Sequence, residues 1–401
     1  MQAKQVCLIT TGHIASNPRL IKEASSLSNA GYKVHVVFTQ YMEYLVAEDM
    51  RILSRHQNWT YEQLLWTPTF KILRFKSAVI QKFARWICPI INVNKFLINR
   101  NYTWQVKAAI KIKADLYIAH NLGALPIAVN AAKRNQAKCG FDAEDFHRNE
   151  ISNDLGAMDV KLKTAIEDQY LNQVDYITAA SPLISKAYRQ FYPDLNPKVI
   201  NNVFEVKNQP EVNDNINPKL RLFWFSQTIG KNRGLEDVIE ALNQMENPLI
   251  ELHLLGSLSL QDANYFNQLA HFDIKYYPPI YANEIFELAG KFDLGLALEL
   301  NKPFNRDICL TNKIFTYLIS GLPIVASNTK AQVQFISENK NIGKLYPVGD
   351  VNALADIITE FFNDRKLLND YRRNAFNLAK SKYNWELEQG KFLKIIHQTI
   401  V

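Results

Sequence analysis

Short runs of β-branched and aromatic residues alternate along the chain with longer segments whose apolar positions recur every three or four residues. That pattern predicts parallel strands joined by crossover helices. Runs at Val6–Thr10, Val34–Phe38, Leu116–Ala119, Cys139–Asp142, Tyr176–Ala179 and Val199–Asn201 predict a first sheet. From Glu205 to Lys219 the chain turns polar, with Asn208, Asn213, Asn215, Asn217, Pro210 and Pro218, and reads as a linker. The alternation then restarts, with strands expected at Leu220–Phe225, Ile250–Leu255, Ile274–Tyr277, Leu294–Leu298 and Ile324–Ala326. Helices are expected over Gly234–Gln244, where Leu235, Val238, Ile239 and Leu242 share a face, and over Asn312–Ser320. A chain of 401 residues is too long for one ordinary core and fits two domains. They are placed at residues 1–205 and 206–380, with 381–401 as a closing helical segment. In open α/β sheets ligands bind beyond the carboxyl ends of strands, so the candidate residues are those that follow them.

Hydrophobic residues make up 47% of the chain and charged residues 21%, enough for two cores and without the signature of disorder. No apolar run is long enough to span a membrane, and the N-terminus has no signal-peptide pattern. Cys7, Cys88, Cys139 and Cys309 are widely spaced without a CxxC pair, which argues against a zinc site and a disulfide framework and points to a reducing cytoplasm. The net charge of +7 is unevenly spread. From Gln63 to Ala114 there is no acid, while Lys71, Arg74, Lys76, Lys82, Arg85, Lys95, Arg100, Lys107, Lys111 and Lys113 stand among Phe75, Phe83, Trp86, Ile87, Ile90, Ile91, Phe96 and Leu97. Such a mixture suits the headgroup layer of an anionic membrane, which implies peripheral attachment at the inner face of the plasma membrane. A solvated helical surface with a buried stripe is the alternative. Nucleic acid is not an expected partner, because the chain has no nucleic-acid motif.

Three stretches carry candidate chemistry. After the first strand, Gly12 lets the backbone approach a phosphate or simply makes a tight turn, and Asn17 can cap a helix starting at Pro18. At the start of the second half, Ser226 to Gly234 places Lys231 and Arg233 before a helix, a diphosphate site by charge and dipole, or ordinary loop charges. It is not a Walker A loop, since Gly-Lys-Ser/Thr is absent. Third, Thr311 or Asn312 can cap the helix that Gly321 ends, with Lys313 in its first turn. His120 follows a strand, and the next strand delivers Asp142, Glu144, Asp145 and His147 to the same sheet edge, a clustering of acids that favours a site. Glu144 or Asp145 could accept a proton from an acceptor.

The run Asn312-Lys313-x-Phe315-x-Tyr317-Leu318-x-x-Gly321-Leu322-Pro323 resembles the donor-site helix of glycosyltransferases of the large retaining family 4 (glycosyltransferase group 1). Leu8 to Arg19, Ala30 to Val34, Asp115 to Asn121, Lys198 to Val203, Arg233 to Leu235 and Tyr383 to Trp385 resemble that family's landmarks in order. The resemblance implies a GT-B fold: two Rossmann-like α/β domains whose parallel sheets face across a cleft, with a C-terminal helix crossing back to the first domain. It implies transfer of a sugar, with retention, from a UDP- or GDP-sugar co-substrate to a glycan or lipid-linked acceptor in bacterial surface polysaccharide or glycoconjugate synthesis. Gly12, Thr228, Lys231, Arg233, Thr311, Asn312 and Lys313 would then bind the donor, and His13, Asn17, Arg19 and His147 the acceptor. His120, Glu144, Asp145, Arg233 and Lys313 would be catalytic. No Asp-x-Asp occurs, so no metal and no further cofactor are expected, and cationic side chains would stabilise the leaving diphosphate.

The family's Glu-x7-Glu pair would fall on Ile308 and Thr316 and is missing. Its arginine after the second domain's first strand is replaced by Gln227 or Thr228, Arg233 stands where its loop lysine would be, and Lys231 is the candidate to compensate. A nucleotide-sugar-binding protein without turnover, and an epimerase or hydrolase on the same fold, are the competing readings.

Overall fold

The computed structural model describes residues 3–87, 93–211, 217–282 and 284–400. Cys88, Ile90 and Ile91 of the basic stretch, and Asn213 and Asn215 of the linker, lie outside them. Two compact units emerge, one formed by residues 1–200 with 389–401, the other by residues 201–388. The sequence places the divisions at 205 and 380.

The first unit is built on β1 (Gln5–Thr10), β2 (Lys33–Gln40), β3 (Thr60–Leu65), β4 (Leu116–His120), β5 (Lys138–Ala143), β6 (Tyr176–Ala179) and β7 (Lys198–Val199). They form one seven-stranded sheet in the order β3-β2-β1-β4-β5-β6-β7. All its pairings are parallel. The second unit holds β8 (Leu220–Ile229), β9 (Ile250–Leu258), β10 (Lys275–Tyr277), β11 (Leu294–Ala297), β12 (Ile324–Ser327) and β13 (Gly343–Tyr346). These make a six-stranded sheet in the order β10-β9-β8-β11-β12-β13, again parallel throughout. Strand order reverses between β1 and β4 in one unit and between β8 and β11 in the other, and such switch points open crevices for ligands. The expected class, two Rossmann-like α/β domains, is the one observed.

The inner strands carry unbroken apolar runs because both their faces are buried: Val6, Leu8, Ile9, Leu116, Ile118, Leu222, Trp224, Leu294 and Leu296 are all fully buried. The two strands not expected from the sequence, β3 and β13, are both edge strands. An edge strand has a single neighbour, so β3 is held by its ladder to β2 from His35↔Thr60 to Gln40↔Leu65 while carrying polar residues. The loop expected from Ser226 is also partly strand. β8 continues past Phe225 through a bulge, where Ser226 and Gln227 stand opposite Gly256 alone, and re-pairs at Thr228↔Ser257. Only glycine fits there: Gly256 has φ +153°, and a Cβ would lie 2.4 Å from the Ser226 carbonyl oxygen.

Much of the Asn312–Pro323 motif is architecture. Tyr317 is fully buried, its ring lies where a Cβ on Gly295 would come within 2.3 Å, and its hydroxyl donates to the carbonyls of Leu296 (3.0 Å) and Phe223 (3.2 Å), joining β11 to β8. Gly321, at φ +66°, ends the helix Asn312–Ile319. The acid-free stretch forms the helices Lys71–Ile87, Asn94–Ile98 and Tyr102–Lys111. Among the described residues no helix is long and apolar enough to cross a membrane. Cys7, Cys139 and Cys309 are buried free thiols.

Gly295→Ala should therefore cost about 1–3 kcal/mol of stability by overpacking, and adding Tyr317→Leu should recover part of it. Urea unfolding of the single and double variants measures both; equal losses in the two would mean that the ring is not what the methyl meets.

Candidate active site

The switch point of the first sheet gathers a cluster of buried charge. Thr10 ends β1, pairs with His120 at the end of β4, and His120 pairs with Asp142 near the end of β5. Asn17 caps the helix Pro18–Asn29 by accepting from the Leu20 amide at 2.9 Å, as expected. The first turns of that helix send Arg19 and Glu23, four residues apart, into the same space. Arg19 grips Asp142 with two contacts, Nε to Oδ2 at 2.5 Å and Nη2 to Oδ1 at 2.8 Å, and Nη1 donates to the Ile200 carbonyl at 2.6 Å. Thr178 donates a further hydrogen bond to Asp142 at 2.6 Å. Arg19, expected to contact the acceptor, has a fully buried side chain whose hydrogen bonds go to this cluster.

His120 is also fully buried, with Nε2 3.3 Å from Glu23, and Nδ1 3.5 Å from Asp142 and 3.9 Å from Glu144. Burial alone would lower its pKa, but Glu23 and then Asp142 and Glu144 raise it well above the ordinary value. Burial would raise Asp142, and Arg19 and His120 hold it well below the carboxylate range. Glu23 is pushed up by burial and by Asp142, against the pull of His120 and Arg19. Glu144 alone of these carboxylates reaches the surface, with its side chain 25% exposed, and Asp145 beside it is half-buried. The ligand atoms of Glu23, His120 and Asp142 lie within 4.8 Å of one another, spacing a divalent ion could use. The Arg19 guanidinium already supplies the positive charge there, so the donor set does not fit a metal as it stands.

His13, also expected to contact the acceptor, likewise has its partners within the fold. It is fully buried, and Nε2 accepts from the amides of Tyr41 and Met42, each at 2.9 Å, so Nδ1 carries the proton and donates to Asp49 at 2.5 Å. Asp49 also accepts from Ala15 and Gln40, so this histidine ties down the loop after β1. Gly12 in that loop is not demanded by its backbone, and a Cβ there would make only an ordinary 3.5 Å contact with Tyr41. His147 is buried, 3.4 Å from Glu150; burial lowers its pKa, but Glu150, Asp145 and Glu167 raise it on balance.

In the second unit the candidate residues collect at the β8–β11 switch point. Arg233 is held by hydroxyls, Nη1 donating to Ser226 at 2.7 Å and Nη2 to Thr228 at 3.3 Å. Lys231 is exposed, with its ammonium 3.8 Å above the centre of the Tyr265 ring. Neither cation has a carboxylate partner among the described residues. Gly234, at φ +77°, closes the loop against Leu298, 2.7 Å from where its Cβ would be. One residue on, Glu299 meets Lys313 at 2.6 Å. Lys313 stands in the first turn of the helix Asn312–Ile319, which has no acid in that turn and no side-chain cap. Thr311, at the cap position, has a buried hydroxyl with no hydrogen-bond partner among the described residues, and Asn312 accepts from Asn202 at 2.8 Å. The first-turn amides of this helix and Lys313 stand together at its N-terminus, a kind of helix end that favours anions.

Three residues of these clusters escaped the sequence reading. Glu23 was visible as the carboxylate one helical turn after Arg19, and Glu299 as an acid just beyond a strand. Lys22, whose pKa falls to about 7 through burial and then Arg19, gave no signal.

Removing one partner of a buried ion pair strands the other charge, so Asp142→Asn should cost about 3–5 kcal/mol. A histidine whose folded pKa lies above its ordinary 6.5 stabilises the fold fully below that pH and loses the contribution as pH rises through the folded value. The stability gap between wild type and His120→Gln should accordingly be wider at about pH 6 than at about pH 9 in urea titrations. A gap that does not change with pH would mean an uncharged imidazole.

No family model matches the chain, and no curated protein matches it in sequence. Solved structures do match it in shape. HepE from Anabaena, in complex with UDP and glucose, superposes with a TM-score of 0.72 at 15% identity over 98% of this chain and 100% of its own. Sucrose-phosphate synthase from Thermosynechococcus elongatus gives 0.71 at 13% identity over 98% of each chain. TarM gives 0.68 at 13% identity over 98% of each chain, and a putative UDP-N-acetylglucosamine 2-epimerase from Listeria monocytogenes gives 0.61 at 11% identity over 98% of this chain and 95% of its own. At such identities the likeness establishes the fold, and the fold of this chain is GT-B, two Rossmann-like α/β domains each built on its own parallel sheet.

Proposed function

We propose that the protein transfers a sugar from a nucleotide diphosphate donor to a glycan or lipid-linked acceptor. The observation that carries this reading is the second unit's switch point, where Arg233 is held by hydroxyls after β8, Lys231 is exposed, neither has a carboxylate partner among the described residues, and Lys313 in the first turn of the helix Asn312–Ile319 meets Glu299 just after β11. Breaking the bond between the anomeric carbon and the phosphate oxygen leaves charge on the diphosphate, and fixed cations and backbone donors stabilise that charge as it grows. The new bond forms between the anomeric carbon and the acceptor oxygen. The acceptor's proton passes to the departing phosphate or to Glu144 or Asp145, with Glu144 favoured by its exposure and its place beside His120. Retention by same-face displacement, independence from metal, and a place in surface polysaccharide synthesis complete the reading. UDP is the favoured nucleotide, since HepE is described in complex with UDP and with UDP-glucose.

With Ile308 and Thr316 in place of the missing carboxylate pair, Glu299 is the acid best placed beside the donor, through its contact with Lys313. An epimerase or hydrolase is the second reading, favoured by the likeness to the putative UDP-N-acetylglucosamine 2-epimerase. Incubation with donor alone separates the two, because only those enzymes consume it without an acceptor.

A panel of UDP-, GDP-, ADP- and dTDP-sugars followed by thermal unfolding is expected to single out one nucleotide, since a ligand at 100 times its Kd stabilises by about 2.7 kcal/mol. If none stabilises the protein, the donor-site reading fails. Arg233→Ala and Lys313→Ala should each lower kcat/KM by about 100-fold or more, with activity retained in EDTA. Near-wild-type rates in both variants would remove the diphosphate site, and activity lost in EDTA and restored by Mg2+ would remove the metal-free mechanism.

A further inference from the structure

The helix Lys71–Ile87 rests on the first unit by its small residues and turns its large ones outward. Ser77 and Ala84 are buried, and Ala84 packs in a small cluster with Val93 and Leu97. Ile72, Phe75, Val79, Phe83 and Trp86 recur at three- and four-residue spacing along one face and are 73%, 70%, 49%, 58% and 75% exposed. A contiguous apolar surface of this kind marks an interaction site. Exposed beside it are Lys71, Arg74, Lys82 and Arg85, none with a carboxylate partner among the described residues. A second copy of the chain docked face to face would set these charges against themselves, whereas an anionic surface complements them. Bulky apolar residues flanked by cations on one helix are what lies in the plane of a bilayer interface.

Next to this helix is a cavity of about 570 Å³ walled by Tyr41, Tyr44 and Trp66 and bordered by Arg74 and Arg100. The Arg100 guanidinium lies 4.9 Å over the Trp66 ring, and its Nε is buried without a hydrogen-bond partner. Its Nη2 donates to the Arg74 carbonyl at 3.4 Å. Glu43 also borders the cavity, accepting from Thr69 at 2.6 Å. Burial and then Arg74 and Arg85 disfavour the charge on Arg100.

We propose that this face docks on an anionic bilayer, with the apolar side of the helix among the acyl chains and one lipid phosphate held by Arg74 and Arg100 at the aromatic cavity. The proposal stands apart from sugar transfer, and its test needs neither donor nor turnover. In flotation assays the protein should bind vesicles of phosphatidylcholine with phosphatidylglycerol and not phosphatidylcholine alone, and binding should weaken with salt, since charge is screened over about 8 Å at physiological ionic strength. Phe75→Asp/Phe83→Asp/Trp86→Asp should abolish binding, and Arg74→Gln/Arg100→Gln should lower it about tenfold or more, with thermal unfolding unchanged in both. Excess glycerol phosphate should not release the protein. The proposal is overturned if wild type ignores anionic vesicles at low salt, or if either variant binds like wild type. Release by glycerol phosphate would mean a site for a free phosphate ester, and a dimer in sedimentation that the triple variant breaks would mean a second copy; either overturns it as well.

Discussion

The buried grip of Arg19 on Asp142 is the constraint on which the first unit's site depends. One guanidinium joins the first crossover helix to β5 and, through the Ile200 carbonyl, to the chain just beyond β7. A charge so enclosed persists only when paired and fully hydrogen-bonded, so Asp142 must stay ionised, and it must stay in place. Everything else in the cluster follows. With Asp142 anionic and Glu23 on its other side, His120 has its pKa raised well above the ordinary value in a place where burial alone would have lowered it. The imidazole therefore sits among Glu23, Asp142 and Glu144 at a strand end, and Glu144 is the carboxylate left to face solvent.

The second unit solves a similar problem with hydroxyls in place of carboxylates. Ser226 and Thr228 hold Arg233 without neutralising it, and they can do so because the bulge opposite Gly256 carries β8 four residues further than its apolar run. The Asn312–Pro323 motif divides between the two duties. Tyr317 and Gly321 serve the sheet and the helix end, while Thr311, Asn312 and Lys313 stand at the helix N-terminus. Proteins with different named activities share this fold, so it is the charge at the switch point, and not the architecture, that argues for chemistry.

The inner strands were legible in the sequence because burial on both faces demands unbroken apolar runs, as in Val6–Ile9 and Leu116–Ala119. Local devices were legible too: the Asn17 cap needs only residues three apart. What the sequence hid was set by distant partners. β3 and β13 are edge strands whose polar residues satisfy a single ladder, and the bulge in β8 depends on a glycine in the neighbouring strand. Arg19 and His13 looked like free functional groups after a strand, yet each is claimed by a carboxylate, Asp142 or Asp49, that only tertiary folding brings near.

The contact between Glu299 and Lys313 has a consequence for selectivity. With a carboxylate 2.6 Å from its ammonium, Lys313 serves an incoming anion only by sharing or exchanging its partner. A ligand with one negative charge offers nothing the carboxylate does not already provide, so the exchange is nearly neutral. A ligand with two or more charges displaces it with a net gain. On the proposed donor-site reading, the pair would set a threshold on ligand charge, passing over common monovalent anions in favour of a diphosphate.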